Sequence, residues 1–194
     1  FVVDNEKDLD EFLGFLEKND TKINLFLRIK LKENTIKTER YFVFGMDSET
    51  INKRISQIRS SKINRNIENL GIHFHRKSQN IAEWSLQEEF EDLIEEENLG
   101  KINIVNIGGG IPGEYKNTNV DVISGIFGKI RVFREWLNHR RIKLMSEPGR
   151  FIAAPSGRLV AQILRVYENN IIVNASIYNS DMDSLIAPVK LLVK

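Results

Sequence analysis

The sequence contains no cysteine. No disulfide can staple it, and a cytoplasmic setting is the default expectation. No apolar run approaches the ~20 residues that a membrane-spanning helix needs, and the first residues lack the pattern of a secretory signal. Neither sign of charge is in excess: 28 Lys and Arg against 27 Asp and Glu leave a formal net charge of +1. No face is therefore required to be basic enough for nucleic acid or an anionic membrane. No initiator Met precedes Phe1-Val2-Val3-Asp4, and the last residues, Ala187 to Lys194, again form a strand-like run. Strands need partners on their edges, so both ends read as interrupted. What is present is ordinary for a globular protein: 194 residues, 41% hydrophobic and 28% charged. That is enough for one sizeable core, or for one domain and the start of another.

Short β-like runs alternate with helical periodicity, which predicts an α/β fold with a parallel sheet. Phe1–Val3 precedes a helix carrying Leu9, Phe12, Leu13 and Leu16 at three-to-four spacing, with Asp8 as the expected N-cap and Asn19-Asp20 as its end. Ile23–Ile29 reads as a strand. Tyr41–Phe44 reads as a short strand or as the approach to a helix at Glu49–Arg59. Strands are expected at Leu70–His75, Ile102–Ile107 and Ile142–Ser146, and helices at Leu86–Glu97 and Asp121–His139. The alternation then stops. Gly157–Tyr167 and Ile171–Ala175 are β-rich runs joined by a hairpin-like Glu168-Asn169-Asn170. A boundary near residue 156 is expected, with an α/β domain over 1–156 and the start of an antiparallel β domain over 157–194.

Three motifs fall at predicted strand ends. In Gly71-Ile72-His73-Phe74-His75-Arg76-Lys77-Ser78-Gln79, the strand period of two puts His73 and His75 on one face and Ile72 and Phe74 on the other. The two histidines could be core residues, ligands of a cofactor or, with a third donor, ligands of a metal. His139, the remaining histidine, lies in a basic helical tail, and no metal is expected. In Asn106-Ile107-Gly108-Gly109-Gly110-Ile111-Pro112-Gly113, glycines follow a strand, where backbone N–H groups can cradle a phosphate. The string satisfies G-x-G-x-x-G, but Pro112 to Asn119 reads as loop, whereas a dinucleotide site should open straight into a helix. In Glu147-Pro148-Gly149-Arg150, a turn holds an acid and a base just past a strand. An ion pair or a helix cap is the plain alternative there. Together the motifs put imidazole, glycines, carboxylate and guanidinium at successive strand ends, where barrel active sites lie.

In this order and spacing the motifs resemble the ornithine, diaminopimelate and arginine decarboxylases, which are pyridoxal-phosphate (PLP) enzymes on an alanine-racemase-like barrel. HFHRKSQ is similar to the family's H-x-G-S segment, NIGGGIPG to D-I-G-G-G-F-P-G, and EPGRFIAAPSG to E-P-G-R-Y-x-V-A. FVVDNEKDLDEF and LFLRIK resemble further strands of the family, and the likeness runs from residue 1 to about 165. It implies a partial (β/α)8 barrel, about strands four to eight, followed by the opening of the β domain. By the same resemblance His75 would stack on the PLP ring. Ser78 and the backbone of Gly108, Gly109 and Gly110 would hold the phosphate, Arg150 would add charge, Glu147 would pair with the pyridine nitrogen, and Arg28 would lie near the cofactor. A basic or diamino acid substrate and a homodimer are implied, with neither nucleic acid nor membrane as partner. The family's cofactor-linking lysine would precede the counterpart of Phe1, and its catalytic cysteine would follow that of Lys194. No catalytic residue is therefore expected within these residues, which alone should be inactive.

The sequence departs from the family at named places. Lys77 stands where Gly usually precedes the Ser, Asn106 replaces the usual Asp, and Asn174-Ala175-Ser176 matches the later N-D-G segment poorly. Lys77 as a substitute for the missing lysine is set aside, because an Arg-Lys pair after a barrel strand is more often solvated or phosphate-facing. Two other functions compete with decarboxylation: a PLP-dependent amino-acid racemase, and a non-catalytic PLP-binding homologue with a regulatory role. EPGR and the β-ribbon after it argue against the racemase, and the departures keep the regulator open.

Overall fold

A computed structural model describes residues 1–31, 44–77, 79–187 and 189–193. Five parallel strands, β1 (Val2–Val3), β2 (Ile23–Arg28), β3 (Ile67–His73), β4 (Ile104–Asn106) and β5 (Lys143–Met145), form one sheet in sequential order β1-β2-β3-β4-β5. The longer helices between them are α1 (Glu6–Lys18), α2 (Ser48–Ser60), α3 (Leu86–Leu93) and α5 (Asp121–His139), with a short α4 (Glu96–Leu99) after α3. An unbroken strand order differs from a doubly wound sheet, where the order reverses. With right-handed crossovers it keeps every helix on one face.

That face carries the core. Leu25 and Leu27 of β2, Leu70 and Ile72 of β3 and Val105 of β4 are each 0% exposed. They join one cluster with Leu9 and Leu16 of α1, Ile51, Ile55 and Ile58 of α2, Phe90 of α3, and Phe133 and Leu137 of α5. Side chains alternate along a strand, so the opposite face receives Asn24, Phe26 and Arg28, then Asn69, Gly71 and His73, then Ile104 and Asn106. The register lines up the last of these: Arg28 pairs with His73, His73 with Asn106 and Asn106 with Met145. One polar row thus crosses the C-terminal edge of the sheet. Gly71 makes room for the Phe26 ring, since a Cβ there would lie 2.6 Å from two of its carbons.

Several local expectations are corrected. The N-cap of α1 is Asn5, whose side chain accepts the Asp8 amide, so Asp8 lies in the first turn instead of preceding it. The expected helix Leu86–Glu97 is two helices. The break has a cause in α2: Asn52 donates to the Leu93 carbonyl at 2.9 Å and accepts the Glu95 amide at 3.0 Å, replacing bonds the helix would otherwise make. Asn98 then donates to Asn52 Oδ1 at 3.0 Å, closing a buried amide network. Strand β3 begins at Ile67 and ends at His73, so His75 lies two residues beyond it. The expected strand over Tyr41–Phe44 falls, except for Phe44, outside the described residues.

After β5 come α6 (Arg150–Ala153), then an antiparallel pair, β6 (Ile163–Tyr167) and β7 (Asn170–Val173), with the two-residue turn Glu168-Asn169 between them. Every residue of both strands is exposed. The short helices α7 (Ile177–Ser180) and α8 (Asp183–Ile186) follow. Residues 189–193, expected as strand, are not in a strand. The architecture is thus α/β, with a five-stranded parallel sheet and a small antiparallel one. Among the described residues no helix is long and apolar enough to cross a membrane.

Candidate active site

The polar row ends in three loops that converge. The first follows β3. Phe74 and Arg76 turn inward, and Arg76 is 2% exposed, with its guanidinium over the rings of Phe74 and Trp84 and donating to Glu89 Oε2 at 2.8 Å. Because Arg76 is pinned on the core side, its neighbour His75 is turned outward and its ring is exposed. The expectation that His73 and His75 share a side therefore holds in direction, although only His73 lies in the strand.

The second loop, after β4, is packed hard against the first. A Cβ on Gly108 would overlap the Phe74 carbonyl oxygen, one on Gly109 would lie 2.9 Å from His75 Cε1, and one on Gly110 would lie 2.9 Å from both Arg76 Cβ and the Lys77 oxygen. Gly108 and Gly110 also have φ of +61° and +97°, a region that glycine enters without steric cost. Gln79, which sequence reasoning did not single out, fastens the far end by accepting the Gly113 amide at 2.6 Å and donating to the Gly113 carbonyl at 3.2 Å. Its φ of +57° turns the chain toward that loop.

Two of the three glycine amides already have acceptors. Gly108 N–H donates to Asn106 Oδ1 at 2.9 Å and Gly109 N–H to His75 Nδ1 at 3.2 Å. The Gly110 amide has no acceptor among the described residues. Accepting at Nδ1 leaves the proton of neutral His75 on Nε2 and fixes the ring plane.

The third loop, after β5, carries Glu147. Its Oε1 accepts from Asn106 Nδ2 at 2.7 Å, its Oε2 lies 3.8 Å from His73 Nε2, and its backbone N–H donates to the Gly108 carbonyl at 2.7 Å. Burial pushes the His73 imidazole below its usual pKa of 6.5. The charge of Arg28 and neighbouring His75 act the same way, and Glu147 opposes them. The His75 pKa is lowered as well, by enclosure of its inner edge and by Arg28. Both rings are thus biased toward neutrality beside an acceptor carboxylate. His73 Nδ1 is buried with no hydrogen-bond partner among the described residues.

The structure therefore brings together Arg28, His75, Gly108, Gly109, Gly110 and Glu147. Arg28 contributes from β2 and lies over the Phe44 ring. Ser78 lies outside the described residues. Arg150 is held by Asp183, with Nε donating to Oδ2 at 2.6 Å and a second, very short bond from the guanidinium to Oδ1. Tyr115 donates to the same carboxylate at 3.3 Å. That pairing raises the Arg150 pKa and lowers that of Asp183. No feature of the sequence pointed to Asp183, which is 33 residues distant along the chain. Among the described residues no group of three or more His, Cys, Asp or Glu could hold a metal ion.

Residues 1–154 match the family model described as pyridoxal-dependent decarboxylase, pyridoxal binding domain. The chain belongs to this family. Its cofactor is pyridoxal phosphate. A diaminopimelate decarboxylase of Pseudomonas fluorescens is 27% identical over 180 residues, covering 87% of this chain and 38% of that protein. The lysine/ornithine decarboxylase of Vibrio vulnificus, solved with putrescine, superposes with a TM-score of 0.68 at 22% identity, over 96% of this chain and 48% of that one. A variant diaminopimelate decarboxylase of Helicobacter pylori, solved with L-lysine, gives 0.70 at 21% identity, over 98% and 50%. The chain thus spans half or less of the length of these relatives, and the likeness to the solved structures establishes the fold.

The site of this chain suits the group its family binds. The glycine turn packs against the loop that carries the exposed His75, the Gly110 amide has no acceptor among the described residues, and the Glu147 carboxylate is tied to the same turn through Asn106.

Proposed function

We propose that this chain is the cofactor-binding part of a decarboxylase acting on a basic or diamino amino acid of the ornithine, arginine, lysine or diaminopimelate class. Its five parallel strands are read as about the fourth to eighth of a (β/α)8 barrel, with a division near residue 156 and a β domain beginning at 157. The observation that carries the reading is the juxtaposition of Glu147, His75 and the Gly108–Gly110 turn within one set of hydrogen bonds.

Each residue has a part. His75, its plane fixed by Gly109, offers a flat face for an aromatic ring. Gly110, whose amide has no acceptor among the described residues, is assigned to the phosphate, Ser78 joins it by the sequence resemblance alone, and Gly108 and Gly109 hold the turn against the loop that carries His75. Glu147 accepts from the pyridine nitrogen, and a carboxylate in that place keeps the nitrogen protonated. Arg28 adds positive charge on the same face. Bound there, PLP supplies an electron sink for the pair left when CO2 departs. Arg150 joins the phosphate's surroundings if its bond to Asp183 yields. A homodimer is part of the proposal, and light scattering of the purified protein tests it.

The engagement of Arg150 by Asp183 favours a second reading, a PLP-binding homologue without catalysis. One experiment separates the two. The protein expressed from its natural reading frame is examined for visible absorbance, reduced with borohydride, and mapped for the labelled peptide, and then offered diamino acids. A labelled lysine with CO2 and amine as products is the expected result. Bound PLP without turnover favours the regulator, an inverted amino acid the racemase, and no label with no bound PLP overturns the proposal.

A further inference from the structure

Asn106 sits at the centre of the converging loops and is 2% exposed. Each half of its amide serves a different loop: Oδ1 takes the Gly108 N–H at 2.9 Å and Nδ2 gives to Glu147 Oε1 at 2.7 Å. The Glu147 N–H returns to the Gly108 carbonyl at 2.7 Å, closing a ring of hydrogen bonds. Only a side chain that both accepts and donates at this spot can close that ring. We propose that Asn106 is a positioning residue that locks the glycine turn and the Glu147 carboxylate into one unit, and that aims Glu147 as an acceptor toward the cofactor nitrogen. The inference rests on the reading of Glu147 as the partner of that nitrogen.

The electrostatics follow from the neighbours. The titratable groups facing Glu147 are His73 from β3, at 3.8 Å, and His75 from the next loop, with Arg28 of β2 acting on both histidines. Asn106 from β4 is the neutral donor among them. An aspartate there could still accept from Gly108, but it would set two carboxylate oxygens at hydrogen-bond distance, and such a pair shares a proton. Asparagine removes that proton from the site. The turn assigned to the phosphate and the carboxylate assigned to the ring nitrogen are thereby tied to one side chain, whose position in the sheet is set by its pairing with His73 and Met145.

The test uses the protein with PLP labelled with nitrogen-15 in the ring, whose NMR shift reads protonation of the ring nitrogen directly. PLP dissociation constants and that shift are measured against pH for the unaltered protein, Asn106→Leu, Asn106→Asp and Glu147→Gln. Asn106→Leu is expected to weaken PLP by about tenfold or more, the usual effect of losing a hydrogen bond to a charged group. It is also expected to move the loss of the ring proton to lower pH. Asn106→Asp, near-isosteric and able to fold where leucine fails, is expected to introduce an ionisation that the unaltered protein lacks. If both variants bind PLP with unchanged affinity and an unchanged shift profile, the positioning role is overturned. The same holds if leucine does not fold and aspartate adds no ionisation. Glu147→Gln separates the two levels. A ring nitrogen unaffected by that change sinks the reading of Glu147 itself, whereas a response there with none at Asn106 sinks only the inference.

Discussion

Replacing Gly108 by alanine perturbs the site without removing any functional group. Its φ of +61° lies in the left-handed region, which costs an L-residue about 1–2 kcal/mol. The added carbon would also overlap the Phe74 carbonyl oxygen and lie 3.0 Å from His75 Cα. Both are backbone atoms, and Phe74 N–H is itself bonded to the Asn106 carbonyl at 3.0 Å, so neither can retreat cheaply. Overpacking of that kind adds about 1–3 kcal/mol, for a total of about 2–5 kcal/mol. Gly14 is the counterpart. It lies inside α1 with nothing within 4 Å of a built Cβ, so alanine there should stabilise by about 0.5–1 kcal/mol. Urea midpoints of the two variants, read by circular dichroism, should move in opposite directions. PLP affinity should fall for Gly108→Ala alone. A Gly108→Ala protein as stable as the parent would refute the argument, because it would require a turn not packed against the end of β3.

Two further outcomes are expected. His73 has a folded pKa below its ordinary 6.5, so the unfolded chain takes up its proton first as pH falls. Its contribution to stability is whole above about pH 6.5 and is lost below it, at no more than about 1.4 kcal/mol per pH unit for one proton. His73→Gln should lose that slope when urea midpoints at about pH 7.5 and about pH 5.5 are compared, and parallel profiles would contradict the assignment. Arg76 is packed between two aromatic rings and bonded to Glu89. Arg76→Ala should cost about 3–5 kcal/mol through the lost pair and cavity. Arg76→Met should cost clearly less by keeping the volume, and equal thermal shifts would show that charge alone matters.

Much of the framework was legible in the sequence because its causes are local. Helix α5 occupies the expected Asp121–His139, and β2 differs from expectation by one residue, since apolar periodicity decides both. The three site motifs could be read because glycine, proline and the ends of strands carry strong local signals. What escaped depends on residues distant in sequence. The break between α3 and α4 is made by Asn52, some 41 to 43 positions earlier. The hold on Arg150 comes from Asp183, in a short helix whose sequence carries no amphipathic signature. The double service of Asn106 also needed the fold, because only strand register brings Glu147 beside it.

The row Arg28, His73, Asn106 and Met145 has a consequence for how this sequence tolerates change in length. Side chains alternate faces along a strand, so inserting or deleting one residue inside β3 or β4 would move every later side chain of that strand to the opposite face. A polar imidazole or amide would enter the apolar layer, and an isoleucine or valine would replace it on the chemical face. In a library of single-residue insertions and deletions, survivors should therefore be depleted within Ile67–His73 and Ile104–Asn106. The exposed turn at Glu168-Asn169, which moves no such row, should accept added residues.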